Sequence, residues 1–357
     1  MSATEYETRK TEFSHIGSLL VFLLLLTTFL HPLGVAAQVL PDDPFISQQW
    51  GWLRVAADKA LAFGYNGSEV IVAVLDTGAD LDHPDLAENL IEGWNFVDNN
   101  QNVSDLDNHG TMVAGIIAAV ANNSEGLAGV APEAKIMPLK VIDEDGGDLR
   151  DISSAIRYAA DNGASVISMS FAGEYSRFSQ TVERALDYAA NQGCILVAAV
   201  GNDNTDELVF PAAYEEVIAV SAIDENDTKA EISNYGSYVD FCAPGINVVS
   251  TGKDGNYLIG NGTSFSAPFV TGLVALMLAD NPQLTAEEAR TKLRLSAEDL
   301  GEEGWDQYYG WGLANAYCVI PDDSIPEFSS WTMLTLIVTV TTIMVVFRKR
   351  KLDTMQK

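Results

Sequence analysis

The chain has 357 residues, with 20 Lys and Arg against 50 Asp and Glu, a formal net charge of −30. So acidic a protein is repelled by nucleic acid and by anionic lipid surfaces, which argues against a polyanion-binding role. Three cysteines are too few for a disulfide framework. Cys194 and Cys242 lie in apolar, strand-like runs and are predicted to be buried, whereas Cys318 is expected nearer the surface.

The N-terminal segment, residues 1–37, has the pattern of a secretory signal peptide. A basic pair at 9–10 precedes an apolar run at 19–30 and a small-residue exit site that ends at Ala37. We expect cleavage after Ala37. Because three glutamates dilute the basic region, an uncleaved signal anchor remains the alternative.

The central body, residues 38–320, alternates strand-like and helix-like segments. Short β-branched runs, apolar on both faces, predict parallel strands at 69–76, 134–142, 164–170, 194–200 and 217–223. Helical spacing of apolar residues predicts helices at 110–122, 151–162 and 178–192, and Gly163 and Gly193 are expected to cap the last two. This alternation predicts a single α/β domain, a doubly wound parallel sheet flanked by helices.

The C-terminal end predicts a membrane segment. An acidic, proline-containing linker at 321–327 leads to residues 328–347, which carry no charge, and the final segment 348–357 begins with four cations. A helix of that length reaches roughly 30 Å, the hydrocarbon thickness of a bilayer. Basic residues stay on the cytoplasmic side. We therefore expect the central body to lie outside the cytoplasmic membrane.

A candidate nucleophile lies in the stretch "NGTSFSAP". Ser264 stands where a long apolar helix begins, and the free N–H groups of a helix start favour a developing negative charge. Taken alone, this serine is better explained as an ordinary helix cap.

A serine nucleophile needs a base, and histidine is the commonest one near neutral pH. His15 and His31 fall in the signal region, which leaves His83, in a turn before a proline, and His109, at the start of an apolar helix. We favour His109, because a helix start can project a side chain into a cleft at the carboxyl edge of the sheet.

The carboxylate that orients the base should come from a strand end. Asp76 closes a buried strand that runs into a glycine turn, which is where open α/β sheets place functional groups. An Asx-turn at the strand terminus is the alternative interpretation.

Together, the segments "VLDTG", "NHGTMVAG" and "NGTSFSAP", in the order Asp, His, Ser, resemble those of the subtilisin-like serine proteases (subtilases, peptidase family S8). The resemblance runs from about Pro41 to Tyr317 and looks closest to the thermitase-like branch. It implies a subtilisin-like fold and a serine endopeptidase that works through an acyl-enzyme. The implied roles are nucleophile for Ser264, general base for His109, orienting carboxylate for Asp76 and oxyanion donor for Asn202.

The resemblance also implies a substrate site and a metal site. Family members bind extended peptides as an added strand between two backbone segments; the matching residues are Gly146, Gly147, Ser170, Phe171 and Ala172. A structural Ca²⁺ site is implied, and oxygen ligands of this kind suit that ion. Its matching positions are the side chains of Asp43, Asp85 and Asn123 and the backbone oxygens of Val120, Glu125 and Leu127.

The chain departs from the family pattern in several places. Only residues 38–44 occupy the position of the usual folding-assistant prodomain, so we expect either unaided folding, helped by calcium, or a separate assisting chain. Met112 and Phe265 stand where a histidine and a methionine are common, and Ala172 replaces a common glycine. None of these changes removes a catalytic group.

The tail "IPEFSSW…RKRK" resembles archaeal sorting signals of the Pro-Glu-Phe type. It could be cut there and exchanged for a lipid, or it could remain a permanent anchor. Either outcome tethers the domain at the cell surface, with the membrane and extended peptides as its partners and no nucleic acid.

Three functions follow as hypotheses. The first is a membrane-anchored, extracytoplasmic serine endopeptidase. The second is a catalytically silent pseudoprotease that grips peptides at the surface, against which the intact set of four catalytic positions argues. The third is a dedicated processing protease with one partner substrate.

Overall fold

The computed structural model describes residues 40–144, 146–174 and 180–320. The predicted signal peptide, linker, membrane segment and basic tail lie outside these residues.

A seven-stranded sheet forms the centre of the molecule. Its strands are β1 (Ile71–Asp76), β2 (Trp94–Asn95), β3 (Lys135–Lys140), β6 (Val166–Met169), β8 (Ile195–Ala199), β10 (Val217–Ile223) and β11 (Phe241–Pro244). They lie in the order β11-β10-β8-β6-β1-β3-β2, and neighbouring strands pair in parallel. Three small antiparallel pairs surround it: β4 (Ile142–Asp143) with β5 (Gly146–Gly147), β7 (Gly173–Glu174) with β9 (Val209–Phe210), and β12 (Val248–Gly252) with β13 (Asn256–Gly260). The predicted parallel α/β sheet is confirmed.

Helices cover both faces of the sheet. They are α1 (Trp50–Arg54), α2 (Ala57–Ala62), α3 (His109–Ala118), α4 (Leu149–Asp161), α5 (Gln180–Asn191), α6 (Thr263–Asp280) and α7 (Ala286–Ser296), with 3₁₀ turns at Ile46–Gln48, Ala87–Asn89 and Ala316–Cys318. Alternate residues of β1 enter different cores: Val72 and Val74 pack with α3 and α6, while Ala73 and Leu75 pack with α4 and α5. This two-sided burial is the physical cause of the unbroken apolar strand sequences.

The structure corrects some details of the sequence prediction. Helix α3 ends at Ala118, not at 122, and the following loop supplies backbone to Asp43 and Asp85. Cys318 is buried, as are the other two cysteines, because it packs in the core with the C-terminal 3₁₀ turn. Among the described residues, one helix, α6, is long and apolar enough to cross a membrane, but most of it is buried inside the protein.

Candidate active site

Asp76 and His109 meet at the carboxyl edge of the sheet. Asp76 is the last residue of β1 and fully buried, and its Oδ1 lies 2.7 Å from Nδ1 of His109, the first residue of α3. Because a carboxylate oxygen only accepts, Nδ1 carries the proton and Nε2 is left to accept one. The N–H of Thr77 donates to the same Oδ1 at 2.8 Å. Asp76 therefore fixes both the orientation and the tautomer of the imidazole.

Glycine makes this approach possible. A Cβ at Gly110 would overlap the carbonyl oxygen of Gly78 in the turn that follows β1. The helix start can therefore reach the strand end only because position 110 has no side chain.

The surroundings of His109 favour its protonated form. Burial lowers the pKa of His109, but the charge and hydrogen bond of Asp76, with the charges of Asp107 and Asp105, outweigh this and raise the pKa to about 9. The ring remains 28% exposed, and the ring of Phe265 lies 5.5 Å from it, centroid to centroid. The charges of three nearby carboxylates therefore keep the imidazole protonated until the pH is alkaline.

Ser264 lies in the first turn of α6, beside two hydrogen-bond donors. The Oδ1 of Asn202 accepts from the N–H of Thr263 at 2.9 Å, which turns its amide nitrogen away from that contact. A Cβ built on Gly262 would lie 3.3 Å from Nδ2 of Asn202 and 3.7 Å from the backbone nitrogen of Ser264. Both nitrogen atoms therefore lie beside position 262, together with Oδ1 of Asn202 at 3.6 Å. Two N–H donors placed close together can stabilise a negatively charged oxygen.

The structure links Ser264 to His109 through Phe265, the next residue of α6, which contacts the ring. Ser264 Oγ and His109, both among the described residues, do not form a hydrogen bond with each other. In unliganded enzymes the contact between nucleophile and base is often long, and it tightens when substrate binds.

The predicted substrate segments lie in different settings. The hydroxyl of Ser170 is buried and donates to the carbonyl oxygen of Ser264 at 2.9 Å. Ala172 is exposed and lies beside Gly201, next to Asn202, and Phe171 is half-buried against the core. Gly146 and Gly147 form the exposed strand β5, with open space around Gly146.

The residues proposed for a metal converge at a second place. Asp43 and Asp85 are buried, and both accept from the loop that follows α3: Asp43 from the N–H groups of Asn122 and Asn123, and Asp85 from the N–H of Leu127 and the amide of Asn123. Burial raises the pKa of both carboxyls, that of Asp85 to about 6, and the charge of Asp43 contributes to the shift at Asp85. No Lys or Arg pairs with either carboxylate in the described part of the chain.

These residues fit a hard cation with oxygen ligands. Two buried carboxylates near each other, without a cationic partner, are costly unless a positive ion joins them. Residues 40–144, 146–174 and 180–320 contain no cluster of three His, Cys, Asp or Glu side chains that could hold a metal. The set is instead two carboxylates with one amide, Asn123. The carbonyl oxygens of Val120, Glu125 and Leu127 belong to the same loop.

Two functional candidates escaped the sequence analysis. Thr263 is fully buried; its hydroxyl donates to Asn202 Oδ1 and accepts from the N–H of Gly201, so it orients the side chain of Asn202. Asp105, four residues before His109, accepts five hydrogen bonds around the catalytic helix start. No pattern in the sequence marks either residue, because the bond that ties Asp105 to Thr77 and the bonds of Thr263 all join distant segments.

Comparison with known proteins agrees with this geometry. The model of the subtilase family, Peptidase_S8, matches residues 67–312. The chain belongs to the subtilase family. Its fold and its class, serine endopeptidase, follow from that membership.

Individual relatives are similar over most of the domain. A thermophilic serine proteinase of Bacillus sp. is 43% identical over 281 residues, 78% of this chain and 68% of that protein. Thermitase of Thermoactinomyces vulgaris is 39% identical over 279 residues, 78% of this chain and 98% of that protein. A solved protease structure from Pseudoalteromonas arctica superposes with a TM-score of 0.72 at 31% identity, covering 78% of this chain and 98% of that one.

Proposed function

We propose that this subtilase is a membrane-anchored, extracytoplasmic endopeptidase that cleaves peptide bonds through an Asp76–His109–Ser264 triad. The observation that carries the proposal is the 2.7 Å contact between Asp76 and His109. The side-chain nitrogen of Asn202 and the backbone nitrogen of Ser264, which both lie beside Gly262, agree with it.

The reaction follows from these positions. His109 Nε2 takes the proton of Ser264 Oγ as that oxygen forms a bond to the scissile carbonyl carbon. The carbonyl oxygen becomes an anion, which the N–H of Ser264 and the amide of Asn202 stabilise. His109 then gives the proton to the leaving amine as the C–N bond breaks, and water releases the acyl group by the same steps in reverse. Asp76 keeps Nδ1 protonated throughout.

We further propose that Asp43, Asp85 and Asn123, with carbonyl oxygens of Val120, Glu125 and Leu127, hold a structural Ca²⁺. Bound there, the ion supplies positive charge that two buried carboxylates otherwise lack. The loop they hold together begins at the end of α3, so the site supports the helix that carries His109 at its other end.

The substrate is an extended polypeptide that adds a strand beside residues 170–172 and Gly146–Gly147. Ala172 precedes the short strand β7 and is exposed, which leaves this segment accessible to a peptide that adds as a strand. The proposed partners are thus peptides, the membrane through residues 328–347, and an optional folding-assistant chain.

Fluorophosphonate labelling of the full-length chain tests the catalytic proposal. We expect wild type to be labelled and Ser264→Ala to be silent. The matched control is Ser266→Ala, which removes a buried hydroxyl two residues along the same helix and should leave labelling intact. A folded wild-type chain that takes no label would contradict an autonomous protease and favour the peptide-binding alternative.

The location is tested on intact cells with a membrane-impermeant fluorophosphonate. We expect the chain to be labelled from outside and to stay in the membrane pellet after a carbonate wash. Labelling only after lysis, or release by the wash, would contradict the proposed anchoring.

A further inference from the structure

Asp105 is a buried carboxylate in the loop before the catalytic helix, with 6% of its surface exposed. Its Oδ1 accepts from the hydroxyl of Thr77 at 2.9 Å and from the N–H groups of Asp107 and Asn108 at 2.9 and 3.1 Å. Its Oδ2 accepts from the N–H and the hydroxyl of Thr111 at 2.9 and 2.6 Å. Five donors therefore converge on one side chain.

These donors belong to two segments that must meet for catalysis. Thr77 directly follows Asp76, and the others flank His109. The hydroxyl of Thr77 also accepts from the N–H of Gly110 at 2.9 Å, so a continuous chain of hydrogen bonds joins the end of β1 to the start of α3 through Asp105. The Asp76–His109 contact spans the same junction.

A helix cap alone explains only part of this arrangement. A capping side chain satisfies N–H groups of the first helical turn. This accounts for the bond from the N–H of Thr111 but not for the bonds from the hydroxyls of Thr111 and Thr77. Asp105 is also buried without a Lys or Arg partner in the described part of the chain. A cap could stay exposed to water, whereas this carboxylate is enclosed where it faces both catalytic segments.

We propose that Asp105 is a positioning residue for the proposed hydrolysis, which holds the base-bearing helix against the strand that carries Asp76. The inference rests on the proposed function, because it assigns Asp105 a part in that reaction. Asp105 acts through Thr77, Gly110 and Thr111, and it does not touch the substrate.

The charge of Asp105 adds a second effect. Although burial acts to raise it, the pKa of Asp105 is lowered by the hydrogen bonds of Thr111 and of the backbone at Asp107 and Asn108, so the group is an anion at neutral pH. The charged groups around His109 are Asp76 from β1 and Asp105 and Asp107 from the preceding loop. Lys253 is a nearby cation, with its Nζ on the carbonyl oxygen of Leu106.

The test is Asp105→Asn, with kcat and KM measured across pH. The amide keeps the size of the side chain but turns one acceptor into a donor that faces Thr111. We expect the high-pH plateau of kcat to fall about 10²-fold with KM unchanged, the loss typical of a catalytic group displaced by about 1 Å. The acid limb of kcat/KM should also move to lower pH.

Two other variants separate position from charge. Asp107→Asn removes an exposed neighbouring charge but keeps an oxygen that can accept from the N–H of His109; we expect the acid limb to move without loss of plateau kcat. Asp82→Asn, at an exposed carboxylate in the loop after β1, should change neither.

A folded Asp105→Asn chain with wild-type plateau kcat would overturn the proposal, even if its acid limb moved, because loss of charge alone explains that shift. If that variant does not fold, Thr77→Val decides the matter, since it breaks the same chain of hydrogen bonds at a single hydroxyl. We expect kcat to fall about tenfold there; an unchanged kcat would overturn the proposal.

The outcome is distinguishable from a failure of the proposed function. The wild-type chain must first label with fluorophosphonate, which does not depend on Asp105 having a special role. The downfield proton resonance of His109 Nδ1 then reports the contact with Asp76 directly. We expect it in wild type and in Asp107→Asn, and we expect it shifted or lost in Asp105→Asn.

Discussion

We compare two places in the described part of the chain that each bury a pair of carboxylates. The pKa of one carboxyl is lowered in the first place, whereas the pKa of a carboxyl is raised in the second. The catalytic edge contains Asp76 and Asp105, and the N-terminal carboxylate pair consists of Asp43 and Asp85. Asp105 accepts five hydrogen bonds of 2.6 to 3.1 Å, and its pKa is lowered despite burial. Asp85 accepts three, the longest at 3.4 Å from Tyr257, and its pKa is raised to about 6.

The difference shows that burial alone does not determine the charge of a carboxylate. Directed donors replace lost water at Asp105, so the anion is retained without a cation. At Asp85 there are fewer donors and a like charge nearby, so the anion needs a positive partner. Asp105 therefore keeps its charge through protein donors alone, whereas the N-terminal carboxylate pair has the chemistry of a cation site.

The largest expected effect comes from breaking the catalytic edge at Asp76. In Asp76→Asn the amide can donate toward Nδ1 and favour the wrong imidazole tautomer. We expect kcat to fall about 10⁴-fold, the loss typical of a triad carboxylate changed to an amide. Steady-state hydrolysis of a peptide substrate measures it, with Ser264→Ala as the background. A variant within tenfold of wild type would show that Asp76 does not orient the base.

Removal of calcium should destabilise the protein at the N-terminal carboxylate pair. With Ca²⁺ a thousandfold above its dissociation constant, we expect a gain of about 4 kcal/mol in the free energy of unfolding over a chelator-treated sample. Thermal unfolding of the full chain measures this difference. Asp85→Asn should abolish the calcium response and Asp82→Asn should retain it. An equal response in Asp85→Asn would place the ion elsewhere.

The oxyanion is a negative charge that exists only during the reaction. Substitution of Asn202 tests whether this side chain donates a hydrogen bond to it. We expect Asn202→Ala to lower kcat about 10²–10³-fold, the range measured when one such donor is removed from a subtilisin. KM should stay near its wild-type value, because the donor acts on the transition state. The control is Asn204→Ala, an exposed neighbour. Equal losses in both variants would indicate a folding defect.

The sequence predicted the fold because apolar periodicity is local. Each predicted strand contains an observed one, since burial on both faces leaves a continuous apolar run. The edge strand β2 escaped prediction, because it has only two residues. For the other edge strand, β11 (Phe241–Pro244), the sequence indicated only a strand-like run around Cys242, which ends in a proline. Pairing at a sheet edge depends on neighbours distant in the chain.

The sequence predicted those site residues that lie within short continuous motifs. "VLDTG", "NHGTMVAG" and "NGTSFSAP" each place one candidate residue at the end or start of an element. Asp105 lies among other loop aspartates in "SDLDNHG", and nothing local distinguishes the one that reaches Thr77, 28 residues earlier. Thr263 likewise acquires its partners, Gly201 and Asn202, only in the folded chain.

The smallest expected effect is on the pH dependence of kcat/KM, which reports the pKa of His109. Because the pKa of His109 is raised to about 9, the imidazole must lose a proton before it can act as a base. We expect kcat/KM to rise with pH and level off above about 9, and at pH 8 it should be about tenfold below the plateau.

The same shift acts on stability with the opposite sign. A raised histidine pKa contributes stability that is fully present below the unfolded-state pKa of about 6.5 and is lost as the pH rises through about 9. Activity should therefore increase over the pH range in which this contribution disappears. A kcat/KM profile already level at pH 7 would show that water screens the carboxylates around the exposed side of the ring. The pKa of His109 would then not be raised, and the carboxylates of the catalytic edge would not favour the protonated imidazole.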